Sequence, residues 1–166
     1  NAVVYLGIDP YIGRNVAVKI SKPGSEDTRQ KFFVEAQSAG RLNHPNIVPI
    51  YDAGECPVGP YLVFEYVEGR ILAHVLKEHG PYSVEEAVPL CSAILKGLAA
   101  AHAAEILHLD LSPRNILIDQ DNTPRIMDFG LSRFATVPTG DSDVARGTLR
   151  YMAPEHFLGM PEIWGQ

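Results

Sequence analysis

Cysteine is scarce in this chain: two in 166 residues, Cys56 and Cys91, far apart in sequence. That excludes a disulfide framework and fits unremarkable thiols in a reducing compartment. The six histidines form no His-x-x-x-His or Cys/His cluster, which argues against zinc. Basic charge is also short, with a net charge of −6, and this argues against a nucleic-acid or anionic-membrane surface. No apolar run approaches the roughly 20 residues of a membrane span. No basic-then-apolar N-terminal signal is visible either.

What is present reads as soluble and globular rather than disordered, with 46% hydrophobic and 20% charged residues. Val3 to Ile8 and Asn15 to Ile20 are β-branched runs joined by the turn-rich Asp9-Pro10-Tyr11-Ile12-Gly13-Arg14, which predicts a hairpin. Lys19 stands inside the second run. On the strand alone it faces either solvent or a cleft. From Glu26 to Leu42 the pattern is helical, with Phe32, Phe33, Ala36, Ala39 and Gly40 on one face, Glu35 beside it and Arg41 near its end. His44-Pro45-Asn46 closes that helix. Ile47 to Tyr51 and Tyr61 to Val67 read as strands, separated by a Pro/Gly turn from Cys56 to Pro60.

After the connector Val67-Glu68-Gly69 the character becomes helical. A short helix is predicted over Ile71 to Glu78, stopped by Gly80-Pro81. Ser83 and Glu86 form a capping-box pattern. The helix it starts runs to Ala104, with Val84, Ala87, Val88, Cys91, Ile94, Leu95, Leu98 and Ala101 on its apolar side. Pro89 is expected to disturb it. Two short strands follow, Ile116 to Ile118 and Arg125 to Met127, around the polar turn Asp119 to Asn122. Ser132 to Leu149 lacks periodicity and reads as a long functional loop, and Tyr151 begins a last helical piece.

The chemistry concentrates in His108-Leu109-Asp110-Leu111-Ser112-Pro113-Arg114-Asn115, with a second carboxylate in Asp128-Phe129-Gly130. Carboxylates and an amide on loops beside strands suit Mg²⁺, a hard cation held by one or two carboxylates plus substrate phosphates.

These residues resemble the signature set of a eukaryotic-type serine/threonine protein kinase domain. The elements occur in order: Val16-Ala17-Val18-Lys19, Glu35, His108 to Asn115, Asp128-Phe129-Gly130 and Ala153-Pro154-Glu155. Each is weak alone; five in order on the predicted strand, helix and loops are specific.

The resemblance implies a two-lobed protein-kinase-like fold: a small antiparallel sheet lobe with one helix over residues 1–66, then a mainly helical lobe over 67–166. It implies ATP and Mg²⁺ as cofactors and a protein substrate with a Ser/Thr acceptor, with no nucleic acid and no membrane segment in this piece. A cytoplasmic location follows, or the cytoplasmic face of a membrane-anchored parent.

Residue by residue, Lys19 would hold the α- and β-phosphates and pair with Glu35. Asp128 and Asn115 would hold the metal ions, and Asp110 would orient the substrate hydroxyl and accept its proton. Phe129 would pack under the helix carrying Glu35. The backbone of Glu65 and Val67 would pair with the adenine edge, between walls formed by Ala17, Phe64 and Leu117. Residues 128–155 would be the activation segment, with Thr148 bonding Asp110, and Thr136, Thr139 and Ser142 as candidate phosphosites.

Departures from the pattern are informative. Leu109 replaces the usual Arg before the catalytic Asp, which predicts weaker dependence on loop phosphorylation. Ser112 replaces the usual Lys near the γ-phosphate and removes one charge from transition-state stabilisation. No Gly-x-Gly-x-x-Gly precedes the first strand, and the helices beyond Ala-Pro-Glu are missing. The expectation is a piece of a longer kinase, truncated at both ends and by itself weakly active or inactive. Two alternatives stand: a pseudokinase scaffold that binds ATP without turnover, and a small-molecule phosphotransferase of the antibiotic type. Asp-Phe-Gly followed by Gly-Thr and Ala-Pro-Glu argues against the latter.

Overall fold

The computed structural model describes residues 2–129 and 151, without the side chains of residues 26–28, 31 and 35. Gly130, the loop after it with Thr136, Thr139, Ser142 and Thr148, and Ala153-Pro154-Glu155 lie outside the described residues, as does the side chain of Glu35.

Strands β1 (Ala2–Ile8) and β2 (Asn15–Ser21) form the expected hairpin, with the Asp9 carboxylate accepting from the Tyr11 N–H at 3.0 Å to fix the turn. With β3 (Ile50–Cys56) and β4 (Gly59–Glu65) they make an antiparallel sheet of order β1-β2-β4-β3. Helix α1 (Glu26–Ala39) lays Phe32 and Ala36 against Leu62 and Phe64 of β4 and against Val48. It ends one turn before the expected Leu42. The Gly40 N–H closes on the Ala36 carbonyl at 2.8 Å, so Arg41 falls beyond the helix.

The expected strand over Ile47 to Tyr51 starts later, at Ile50. Residues 46–48 are committed elsewhere: they run parallel to β7 (Pro124–Ile126). The Ile126 N–H donates to the Asn46 carbonyl at 2.8 Å, and the Val48 N–H donates to the Ile126 carbonyl at 2.9 Å. The Asn46 side-chain amide, buried, donates to the Pro124 carbonyl at 2.9 Å. This seam joins the upper sheet to the lower half of the molecule.

The lower half carries a second sheet of order β5-β6-β7, from β5 (Gly69–Ile71), β6 (Ile116–Asp119) and β7. Strand β5 was not expected. Ile71 pairs with Leu117, so helix α2 (Leu72–His79) starts one residue later than predicted. Gly69 is required here, because a Cβ would lie 2.2 Å from the Ile118 carbonyl oxygen.

Helix α3 (Val84–Ala103) opens on the predicted capping box, with Ser83 and Glu86 each satisfying the other's backbone N–H. The Ser83 backbone and hydroxyl hold the Glu86 carboxyl below its usual range. Helix α3 continues through Pro89, contrary to expectation. Pro89 removes one helical hydrogen bond near the start, where the capping box already fixes the first turn.

The buried side of α3 is also rotated from the expected stripe. Ile94, Gly97 and Ala101 are buried, and Leu90 and Leu98 pack beside them. Val84, Val88, Cys91 and Leu95 are exposed. The reason is Gly97, whose missing side chain lets the helix approach Asn46 and Ile126 closely.

Candidate active site

The loop leaving α3 is held by local bonds and then by β7. His108, 3% exposed, donates from Nε2 to the Met127 carbonyl at 2.8 Å, and its Nδ1 accepts from the Asp110 N–H at 3.3 Å. This pairing suits the neutral ring. Burial pushes the imidazole pKa down, opposed by the Met127 hydrogen bond and by the Asp110 and Asp128 carboxylates. The ring also meets Phe129 edge-on, with centroids 4.8 Å apart. Phe129 is buried in the same cluster as Ala39, the last residue of α1.

Leu109 takes a left-handed backbone conformation with φ 62°. A Cβ-bearing residue there costs about 1–2 kcal/mol. The turn aims Asp110 back toward the loop that follows. Asn115, at the end of the short 3₁₀ turn Pro113–Asn115, donates from its side-chain amide to the Asp110 carbonyl at 2.7 Å and to Asp110 Oδ2 at 3.2 Å. The Asn115 carbonyl accepts the Met127 N–H at 2.9 Å. The other carboxylate oxygen, Asp110 Oδ1, is buried and has no partner among the described residues. Such an atom is a candidate acceptor for an incoming hydroxyl proton. Ser112 is buried.

Asp128 is also in the left-handed region, at φ 63°. Its Oδ1 lies 2.7 Å from Lys19 Nζ, and both side chains are largely shielded. Lys19 therefore faces a cleft rather than solvent. Above and beside this pair is a cavity of about 230 Å³ lined by Val4, Ala17, Lys19, Val48, Phe64, Glu65, Tyr66, Val67, Leu117, Met127 and Asp128.

Of the residues expected to bind the nucleotide, Ala17, Lys19, Phe64, Glu65, Val67, Leu117 and Asp128 line this one cavity, while the Glu35 side chain lies outside the described residues. Asp110 and Asn115 do not line the cavity; Asn115 is tied to it through Met127, whose N–H donates to the Asn115 carbonyl. Val4, Val48, Tyr66 and Met127 were missed. Val4 could have been found from the hairpin, because it pairs directly with Lys19 across β1 and β2 and so shares its face. A wider surface groove of about 580 Å³ lies elsewhere, between α1 and β3, and touches none of these residues.

Among the described residues no group of three His, Cys, Asp or Glu side chains could hold a metal alone. A cation here would rest on the Asp128 carboxylate, the Asn115 amide oxygen and oxygens brought by a ligand. That donor set is hard and sparse, as Mg²⁺ requires.

The model of the protein kinase domain matches residues 1–162. The chain belongs to the protein kinase family. Curated serine/threonine-protein kinases are similar over nearly all of it. PknL of Mycobacterium tuberculosis is 38% identical over 158 residues, covering 93% of this chain and 40% of that protein. PrkC of Bacillus subtilis is 38% identical over 162 residues, covering 95% and 25% respectively. The probable serine/threonine-protein kinase pknA2 of Bifidobacterium longum is 39% identical over 161 residues, covering 93% and 21%. The chain thus spans between a fifth and two fifths of the length of these kinases. The α+β architecture, with its antiparallel upper sheet and helical lower half, is that of a kinase domain.

Proposed function

We propose that the protein transfers the γ-phosphoryl group of ATP to serine or threonine hydroxyls of proteins. The observation that carries this reading is the Lys19–Asp128 pair on the wall of an apolar cavity, with the bonded pair Asp110–Asn115 tied to the same cavity through the Met127 backbone. Phosphoryl transfer asks the protein mainly to position groups and neutralise charge. The apolar walls suit a flat base, with the backbone of Glu65 and Val67 at its edge. Lys19 would meet the phosphates, kept in place by Asp128. Glu35, on α1, would be its second partner.

Mg²⁺, when bound, would be held by Asp128 and Asn115 and would neutralise charge on the phosphates. Asp110 orients the acceptor hydroxyl and takes its proton at Oδ1, the oxygen that Asn115 leaves free. Neutral, buried His108 fixes the backbone of Asp110 and Met127 and so holds the loop.

The division into lobes at residues 1–66 and 67–166 is supported by the two sheets, which meet at the connector after Glu65. No helix among the described residues is long and apolar enough to cross a membrane. Use of ATP supports a cytoplasmic site of action, whether or not the whole protein is anchored. A catalytically silent ATP-binding module is the second reading. It is favoured by Ser112, which offers no charge and is buried.

The test is phosphate transfer from labelled ATP by the full-length protein, wild type against Asp110→Ala. Transfer is expected to fall by about 10²–10⁴-fold, the usual contribution of a positioned general base. MgADP affinity should stay within about threefold, since a proton acceptor at the far end adds little to nucleotide binding. Equal transfer by wild type and variant would defeat the proposal. A wild type that binds MgADP but transfers nothing would favour the silent module.

A further inference from the structure

Arg125 is the middle residue of β7 and plays no part in the reaction proposed above. It pairs with Leu117 across the strands, so its side chain emerges on the same face as Leu117, the floor of the cavity. From there it reaches up to the other sheet. Its Nη2 lies 2.7 Å from Oε2 of Glu65, where β4 ends and the connector begins. The side chains are 17% and 32% exposed, so water screens the pair only in part.

Arg125 is itself braced. Its Nη1 lies 4.0 Å from Oδ2 of Asp119, and the other oxygen of Asp119 accepts the N–H groups of Asp121 and Thr123 at 3.0 and 2.8 Å. The backbone of Glu65 is fixed from the opposite side, its N–H donating to the Pro49 carbonyl at 3.1 Å. The guanidinium thus sits between a fixed carboxylate below and the connector above, with its Nε buried and unpartnered among the described residues.

We propose that Arg125 is a positioning residue for the nucleotide. By holding the Glu65 side chain it sets the height of the Glu65–Val67 backbone over Leu117, and with it the spacing of the slot that takes the base. This rests on the reading of the cavity as an ATP site. A guanidinium fork suits the task better than a lysine, because its planar donors fix direction as well as distance.

The experiment compares adenosine and MgADP binding by calorimetry in the full-length protein and its variants. Adenosine reports the base slot alone, whereas MgADP adds the phosphate end. Arg125→Met is expected to weaken both ligands by the same factor, about three- to tenfold, the scale of one partly shielded ion pair. Arg125→Lys should fall between. Exchange of the charges, Glu65→Arg with Arg125→Glu, should recover part of the loss. If Arg125→Met does not fold, the Lys variant decides, with about a two- to threefold loss expected for both ligands.

Unchanged affinity for both ligands overturns the proposal. So does a loss confined to MgADP, which would mean a long-range charge effect on the phosphates. A wild type that binds neither ligand removes the ATP reading and this inference with it. A wild type that binds both, beside variants that bind equally well, removes only this inference.

Discussion

Replacing Gly97 with alanine tests how firmly the two halves of the molecule are joined. In a free helix the change is favourable by about 0.8–1 kcal/mol. Here the new Cβ would lie 3.0 Å from Ile126 Cδ1, 3.1 Å from the Asn46 carbonyl oxygen and 3.2 Å from Asn46 Cβ. Relief requires a shift of a few tenths of an ångström by one partner. Ile126 is fully buried, and its N–H is bonded to that same Asn46 carbonyl at 2.8 Å. Asn46 is held again through its amide at 2.9 Å from the Pro124 carbonyl. With no partner free to move, overpacking of about 1–3 kcal/mol outweighs the helical gain. The net expectation is a loss of about 1 kcal/mol for Gly97→Ala, and a larger loss for Gly97→Val, which is also a poorer helix former. Urea denaturation of the full-length protein, followed by the change in midpoint at constant slope, measures it. A gain in stability for Gly97→Ala would refute the claim that residues 46–48 are locked to β7.

Lys19→Met should weaken MgADP by about ten- to hundredfold, as loss of a charge-assisted contact predicts, and leave adenosine within about twofold. Equal losses for the two ligands would show that Lys19 shapes the cavity rather than meeting phosphate. His108 gives a pH test. Burial lowers its folded pKa below the unfolded value of about 6.5, so the unfolded chain binds the extra proton first. Stability from the neutral ring is present above the unfolded pKa and is lost as pH falls through the folded one. His108→Asn should therefore lose less stability than wild type between pH 7.5 and 5.5, read as urea midpoints; parallel losses would refute the assignment.

Local signals in the sequence predicted local structure well. The hairpin at Asp9 to Arg14, the capping box at Ser83 and Glu86, and the Asp110/Asn115 loop each depend on residues a few positions apart, and each is present as expected. The misses share a different origin. Strand β5, the late start of β3 and the rotation of α3 all follow from pairings between distant segments. Apolar periodicity located the stripe on α3, but only contact with Asn46 and Ile126 decides which edge of it is buried. Much of the cavity lining was legible because the kinase resemblance carried it. Val48 and Met127 were not, since an apolar residue in a predicted strand and a Met before an Asp do not by themselves show which cavity they line.

The seam at β7 explains why residues so far apart in sequence form one site. Five consecutive residues, 124–128, each bond a segment distant in sequence. Pro124 accepts from Asn46, Arg125 pairs with Glu65, and Ile126 bonds Asn46 and Val48. Met127 bonds His108 and Asn115, and Asp128 pairs with Lys19. Strand alternation sends successive side chains to opposite faces, while the backbone serves the neighbours on either edge. A single short strand thus registers the loop of Asp110, the connector at Glu65 and the strand of Lys19 against one another. The left-handed turns at Leu109 and Asp128 lie on either side of this register. At about 1–2 kcal/mol each they need support, and the hydrogen bonds of His108 and Asn115 to Met127 supply it between them. Two of the four left-handed non-glycine residues among those described, the others being Glu105 and Asn122, thus fall where the chain turns at the two carboxylates of the site.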